Sequence, residues 1–390
     1  MKFSEMKIDE RVLKAIRDMD ITEPTEIQEK SMPPALEGRD VIGQSMTGSG
    51  KTLAFAVPIV QGVQHGKGIQ ALVLAPTREL ADQITKHMLK FSKYMRISIC
   101  EIYGGVSMEP QIANLRHADI VIGTPGRILD HMRRGNIRYN GLKILVFDEA
   151  DRMLDMGFID DIKLIVSQMP KNRQTLMFSA TIPDELMYII RHYMTQPIRV
   201  KAQPQVPKHK LKQVYYDVRN EYKMSLLVHL IKKEKPTLAI VFCATRGITD
   251  IVASALEQNG IEAKAIHGGH TQSRRLSILE GFHAGKVHVL VATDVAARGL
   301  DIKNVTHIFN YDCPNGPDDY THRIGRTARI GAEGKAIMLL SNRDHEVFRK
   351  IIGKQEIEKG PQEKFPVIKF RMPERSSRFG NRMGFRRRRF

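Results

Sequence analysis

The stretch that most limits what this chain can become is Ile144-Leu145-Val146-Phe147-Asp148-Glu149-Ala150-Asp151. Four apolar residues in a row, without polar alternation, fit a strand covered on both faces, as inside a parallel sheet. Three carboxylates then fall within four positions, past the strand's carboxyl end, where open α/β sheets hold their ligands. Asp148 is suited to hold Mg²⁺ directly or through water, because that ion takes hard oxygen ligands and keeps several waters. Glu149 is suited to orient or deprotonate an attacking water, and to meet the ion through a water. An acidic turn after a core strand accounts for the same letters, so the assignment depends on what else the chain carries.

Upstream stands Ser45-Met46-Thr47-Gly48-Ser49-Gly50-Lys51-Thr52. Its glycines let backbone N–H groups curl round a phosphate, and the following helix presents its positive N-terminus. Lys51 can reach the outer phosphates, and the Thr52 hydroxyl can complete a Mg²⁺ shell. Ser45 occupies the place of the first glycine of the general pattern. Asp40 to Gly43 reads as the start of a strand and Leu53 to Val60 as an apolar helix, so the loop has the strand–loop–helix setting it needs. Loop and acids together read as a nucleoside triphosphate site.

The Asp148-Glu149-Ala150-Asp151 run resembles the signature of the DEAD-box RNA helicases of superfamily 2, and further matches extend from Phe3 to about Arg329. The resemblance implies two tandem RecA-like doubly wound parallel-sheet lobes and an RNA-stimulated ATPase that uses ATP and Mg²⁺. Pro24-Thr25-Glu26-Ile27-Gln28 resembles the family's Q motif, with Phe3 as its upstream aromatic. An amide such as Gln28 donates and accepts at once, as an adenine edge requires. Asp20 and Ile21 stand where the family usually has glycine and an aromatic. Ser179-Ala180-Thr181 resembles the element that couples ATP to RNA through hydrogen bonds toward Asp151. His322-Arg323-Ile324-Gly325-Arg326-Thr327-Ala328-Arg329 resembles the arginine-finger element. Arg326 and Arg329, three apart, would share a helix face and stabilise charge on the transferring phosphate. Ala328 replaces a usual glycine. Arg298-Gly299-Leu300-Asp301 resembles the element in which Asp301 meets the ribose.

Strand-like and helix-like segments alternate along the chain, the pattern of a doubly wound α/β fold. Between Val200 and Gln213 the pattern breaks into prolines and lysines, which reads as a connector over 204–212. The expected organisation is a first lobe over 1–203, a second over 213–365 and a disordered tail over 366–390. The two halves echo each other. Thr77-Arg78 and Thr245-Arg246, Gly104-Gly105 and Gly268-Gly269, and Thr124 and Thr293 follow strand ends in the same order. Threonine hydroxyls, glycine N–H groups and arginines are phosphate ligands that fix register without reading bases. The resemblance assigns Pro76, Thr77, Arg78, Gly104, Gly105, Thr124 and Arg127 to one half of an RNA track, and Arg246, Gln272, Arg275 and Thr293 to the other. Contacts to backbone and 2′-hydroxyl would favour RNA over DNA.

A formal charge of +18 over 390 residues fits a polyanionic partner. The three cysteines, odd in number and widely spaced, indicate a reducing, cytoplasmic setting. No apolar run approaches the length of a membrane span, and the N-terminus lacks the apolar block of a signal peptide. His267 and His270 are the nearest pair to a zinc spacing and read as ordinary loop histidines. Residues 371–390 carry eight arginines, one glutamate and Phe379, Phe385 and Phe390, a stacking and phosphate-binding composition. The expected protein is a monomeric ATP-dependent RNA helicase acting on single strands or short duplexes through their backbone. An ATP-gated RNA clamp would use the same residues and would separate from it by little multiple-turnover unwinding.

Overall fold

A computed structural model of the protein describes residues 1–46, 48–202, 211–297, 304–327, 333–353 and 355–372. Among these, the first half contributes β1 (Val41–Gln44), β2 (Ala71–Leu74), β3 (Ile99–Ile102), β4 (Ile120–Gly123), β5 (Ile144–Asp148), β6 (Gln174–Ser179) and β7 (Ile198–Lys201). The second contributes β8 (Leu211–Asp217), β9 (Ala239–Cys243), β10 (Ala263–Ile266), β11 (Val289–Thr293), β12 (His307–Asn310), β13 (Gly334–Leu340) and β14 (Glu358–Lys359). Each set forms one parallel sheet, in the orders β3-β4-β2-β5-β6-β1-β7 and β10-β11-β9-β12-β13-β8-β14. Strand for strand these are the same order, so the chain is one doubly wound lobe built twice.

Each central strand supplies both faces of its sheet. In β5, Ile144 and Val146 enter one apolar cluster while Leu145 and Phe147 enter the other. Helices cover both faces, which explains why β5 has no polar alternation. The echo extends to backbone detail. Thr77 and Thr245 both cap the helix that follows, with the same φ of −130° and ψ of 157°. Each hydroxyl accepts from the third N–H of its helix, at 3.3 Å.

Asp20 has a φ of +57°. That left-handed turn accounts for the glycine the family prefers there, and Asp is among the residues that adopt it at least cost. Met19 and Ile21 pack against the first-lobe core on either side.

Two boundaries differ from the sequence expectation. β8 begins at Leu211, inside the expected 204–212 connector, because Leu211 and Lys212 pair with Gly334 and Lys335 of β13. Residues 366–372, expected to belong to a disordered tail, lie along the second lobe. Phe365, Ile368 and Phe370 pack against its core, the Ile368 N–H donates to Ser225 Oγ at 3.1 Å, and Arg371 exchanges hydrogen bonds with the Gln258 amide at 2.8 and 2.9 Å. Glu363 pins the start of this strap to Lys233 and His229. The strap is extended rather than helical, so it has no helical period to read. The arginine-rich run from 373 onward lies outside the described residues.

Candidate active site and interlobe cleft

The phosphate loop leaves β1 and enters the helix Lys51–Gly62. Gly48 and Gly50 have φ of +84° and +90°, which only glycine takes without strain. A side chain at Gly50 would also collide with Gln28, whose Nε2 would lie 2.3 Å from the added carbon. Gln28 spends both ends of its amide locally. Oε1 accepts from Thr25 N–H at 2.9 Å and Nε2 donates to the Gly50 carbonyl at 2.9 Å. The Q-motif glutamine is thus a strut under the phosphate loop. Phe3 is buried in the first-lobe core, in the same cluster as Met6 and Ile8. The Lys51 ammonium is buried and donates to the Ser45 carbonyl at 3.1 Å. Ser49 Oγ lies 2.9 Å from Ser45 Oγ, and Thr52 sits half-buried one residue past Lys51. Thr47 lies outside the described residues.

Asp148 ends β5, and Glu149 turns the chain with a φ of +51° into the helix Ala150–Asp155. A non-glycine residue in this region stores strain, and such strain concentrates at functional sites. Both carboxylates are buried, at 3% exposure each. Burial, with Glu149 beside it, pushes the Asp148 carboxyl up to about 7 despite the pull of Lys51. Burial also opposes charge on Glu149, but Arg152, Lys51 and Arg326 outweigh it and hold that carboxyl below its ordinary value. Burial thus opposes charge on both acids, and Lys51 and Arg152 act on both against it. Asp151 Oδ2 accepts from Ala180 N–H, Thr181 N–H and Thr181 Oγ1 at 3.1, 2.8 and 3.0 Å. The Asp151 N–H in turn donates to Ser179 Oγ at 3.0 Å. The Ser179-Ala180-Thr181 element is thereby bolted to the end of the acidic run.

The second lobe closes on this surface. Arg326 is 3% exposed and acts electrostatically on Glu149 across the cleft. His322 faces Asp151 and Arg152. Burial, and then the nearby Arg152 and Arg326, lower it to about 4, so it is neutral near pH 7. Gly325 abuts Met46 of the phosphate loop, and an added side-chain carbon would lie 2.9 Å from the Met46 methyl. Arg329 and Asp301 lie outside the described residues, as does Arg298.

Along the same edge of each sheet run the expected RNA residues. Arg78 lies over Gly105 so closely that any side chain there would overlap its guanidinium. Arg246 covers Gly268 in the same way in the second lobe, 3.3 Å from where a side chain would start. Arg127 is tied to the loop after β3, donating to the Tyr103 and Val106 carbonyls. Thr124 and Thr293 are buried at the ends of β4 and β11, and Pro76 precedes the Thr77 cap. Gln272 and Arg275 instead reach across to the first lobe. Gln272 Nε2 and Arg275 both meet Glu79 Oε1, at 3.1 and 3.0 Å.

That pair forms only when the lobes are together, and Glu79 is nearly buried in it. Nothing in the Pro-Thr-Arg-Glu spelling marked Glu79 as an interlobe acceptor. Glu79→Gln is expected to weaken the closed form by about 1.5 kcal/mol, the size of a charge-assisted hydrogen bond. The RNA concentration giving half-maximal ATPase should then rise roughly tenfold, with little change in the saturated rate. An RNA titration that superimposes on the unmodified protein would remove Glu79 from the closure contacts. Arg152 was also not singled out in the sequence, although it stands only three residues after Glu149 and pairs with it.

Comparison with known proteins agrees with this geometry. The DEAD/DEAH box helicase family matches residues 25–189, and the helicase conserved C-terminal domain matches residues 222–331. The ATP-dependent RNA helicase CshA of Listeria monocytogenes is 46% identical over 352 residues, spanning 89% of this chain and 68% of the relative. DEAD-box ATP-dependent RNA helicase CshA of Geobacillus kaustophilus is 45% identical, over 92% of this chain and 78% of the relative. Among solved structures, S. cerevisiae Dbp5 bound to RNA and ADP BeF3 aligns over 92% of this chain and 95% of its own, with a TM-score of 0.84 at 32% identity. A DEAD box protein from Methanococcus jannaschii covers 93% of this chain and 99% of its own and is more similar in sequence, at 38%, yet reaches only 0.56. With matching profiles over both lobes and relatives this similar across most of its length, the chain belongs to the DEAD-box ATP-dependent RNA helicases.

Proposed function

We infer that this helicase uses ATP binding to clamp RNA between its lobes and hydrolysis to release it, separating short duplexes locally and without sequence preference. The observation that carries the reading is that Glu149 of one lobe and Arg326 of the other meet in one water-poor cleft. Neither lobe has the whole hydrolytic set. ATP and RNA each engage both lobes, so each favours the closed form and they bind cooperatively by linkage. Closure that bends the bound strand disfavours pairing, and reopening after hydrolysis frees both strands.

In this reading Lys51 and the N–H groups of Gly48, Ser49 and Gly50 hold the phosphates. Glu149 orients and deprotonates the attacking water, and Arg326 with Arg329 offsets charge developing on the transferred group. Asp151, bonded to Thr181 and facing neutral His322, passes the state of the cleft to the Ser179–Thr181 element. Asp148 and Thr52 offer the hard oxygens Mg²⁺ prefers, Asp148 as a buried carboxylate at the end of β5 and Thr52 one residue past Lys51. When bound there, the ion would neutralise charge between the outer phosphates. Phe3 and Asp301 would serve the base and ribose, the latter directly. We assign the protein to the cytoplasm as a monomer, a reading supported by three free cysteines and by a nucleotide site completed within one chain. ATPase rates without nucleic acid, with single-stranded RNA and with DNA of the same sequence test the whole reading. Stimulation by RNA alone is expected, and equal stimulation by DNA would overturn it.

The arginine run past the strap is assigned to nonspecific RNA tethering. Truncation at Met372 should flatten the dependence of RNA affinity on salt, by roughly 0.7 in log–log slope per lost phosphate contact. Three or four contacts would change the slope by about 2 to 3. The ATPase rate at saturating RNA should stay near that of the full chain, because the strap and the cleft are intact. An unchanged salt slope would make the run a passenger or a localisation signal.

A further inference from the structure

Among the described residues Arg152 is the largest fully buried side chain, at 1% exposure. It sits on the helix Ala150–Asp155, and its NH1 donates to Glu149 Oε2 at 2.8 Å. Its backbone N–H donates to Asp151 Oδ1 at 3.0 Å, which fixes where the side chain starts. The guanidinium lines a small cavity whose other walls come from the second lobe, among them Phe242, Asp294, Asp319, His322 and Arg326. Arg323, alongside, is already held by Asp294 through two contacts of 2.7 Å. Burying a charge in such a place costs several kcal/mol, and an ion pair returns that only with good geometry. A guanidinium is rarely placed there for stability alone.

The Glu149 backbone is fixed in the left-handed region, so its carboxylate orientation depends on what holds the side chain. With the lobes apart, water would reach the pair and the attraction would fall toward that of a surface ion pair, under about 1 kcal/mol. With the second lobe over it, the same 2.8 Å contact acts in a poorly screened environment and is several times stronger. The contact thus tightens on closure.

We propose that Arg152 is a positioning residue for ATP hydrolysis, holding the Glu149 carboxylate in one orientation and doing so strongly only when the second lobe closes over it. The proposal rests on the reading that Glu149 acts on the attacking water. It makes closure a condition of productive geometry on the first lobe, in addition to delivering Arg326.

The test compares RNA-stimulated ATPase of the full chain with Arg152→Gln, Arg152→Lys, Glu149→Gln and the double variant Arg152→Gln/Glu149→Gln. Arg152→Gln should lower kcat by roughly tenfold or more while KM for ATP moves by less than about twofold. Arg152→Lys, which can still pair, should recover part of that loss. RNA retained with a non-hydrolysable ATP analogue should be unchanged, since the closed form still assembles. The double variant should be no slower than Glu149→Gln, because residues acting as a unit are not additive. A multiplicative loss in the double variant, an unaltered kcat in Arg152→Gln, or loss of analogue-dependent RNA retention would each overturn the proposal. Normal turnover in Glu149→Gln alone would instead overturn the role given to Glu149, and the two failures are separately visible.

Discussion

Glu149→Gln is expected to bind ATP and RNA and to lose turnover by roughly 10²- to 10⁴-fold, the range spanned by a general base. The amide fills the same volume in a site where Glu149 is 3% exposed, so packing around the strained turn survives. Basicity does not survive, because an amide cannot take the water's proton. The change also removes the carboxylate from a buried 2.8 Å ion pair with the Arg152 guanidinium, and loss of one charge of a buried pair costs stability. A modest drop in thermal midpoint should therefore accompany the kinetic loss. On the proposed cycle, in which hydrolysis reopens the lobes, RNA should be held longer with ATP than by the unmodified protein. The measurement pairs single-turnover hydrolysis with RNA release in ATP. Fast hydrolysis, or release at the unmodified rate, would give the water to a different group.

Arg326→Ala should lower the hydrolysis rate by about 10³-fold or more, the effect of withdrawing an arginine that meets transition-state charge. ATP affinity should change little, because Lys51 and the phosphate loop are on the other lobe. Arg326 is also one of the cations that hold Glu149 below its ordinary carboxyl value, so its removal weakens two parts of the site. Arg326→Lys should not restore the rate, since an ammonium lacks the planar fork that spans two oxygens. The informative comparison is kcat against nucleotide affinity. A parallel loss in both would make Arg326 a ground-state ligand.

What could be read from the letters was whatever repeats or carries dense chemistry. The unbroken apolar run before Asp148, the glycines of the phosphate loop and the Thr-Arg, Gly-Gly and Thr echoes led directly to two parallel sheets of like order. Contacts between segments distant in sequence were not legible. The resemblance assigned Gln272 and Arg275 to RNA, and no spacing announced that both also turn to Glu79. Gln28 was assigned to the adenine edge, and spacing gave no sign that its amide also braces the Gly50 carbonyl. A polar side chain near a ligand site also serves the site's own frame, and spacing cannot tell the two uses apart. The strap escaped for another reason. Phe365, Ile368 and Phe370 gain their partners only from a surface assembled by helices far upstream, so no local period announces them.

The duplicated sheet order has a consequence for how such a site can be shared. Two like lobes on separate chains would assemble the cleft only as fast as they met, and activity would scale with protein concentration. Here eight residues, 203–210, join Ala202 to Leu211, a span of at most ~30 Å at full stretch. One lobe therefore meets the other at an effective concentration in the millimolar range, whatever the dilution of the protein. The tether also makes each molecule self-contained. Mixing a chain lacking Glu149 with one lacking Arg326 should yield no complementation, because each intact half stays occupied by its own defective neighbour.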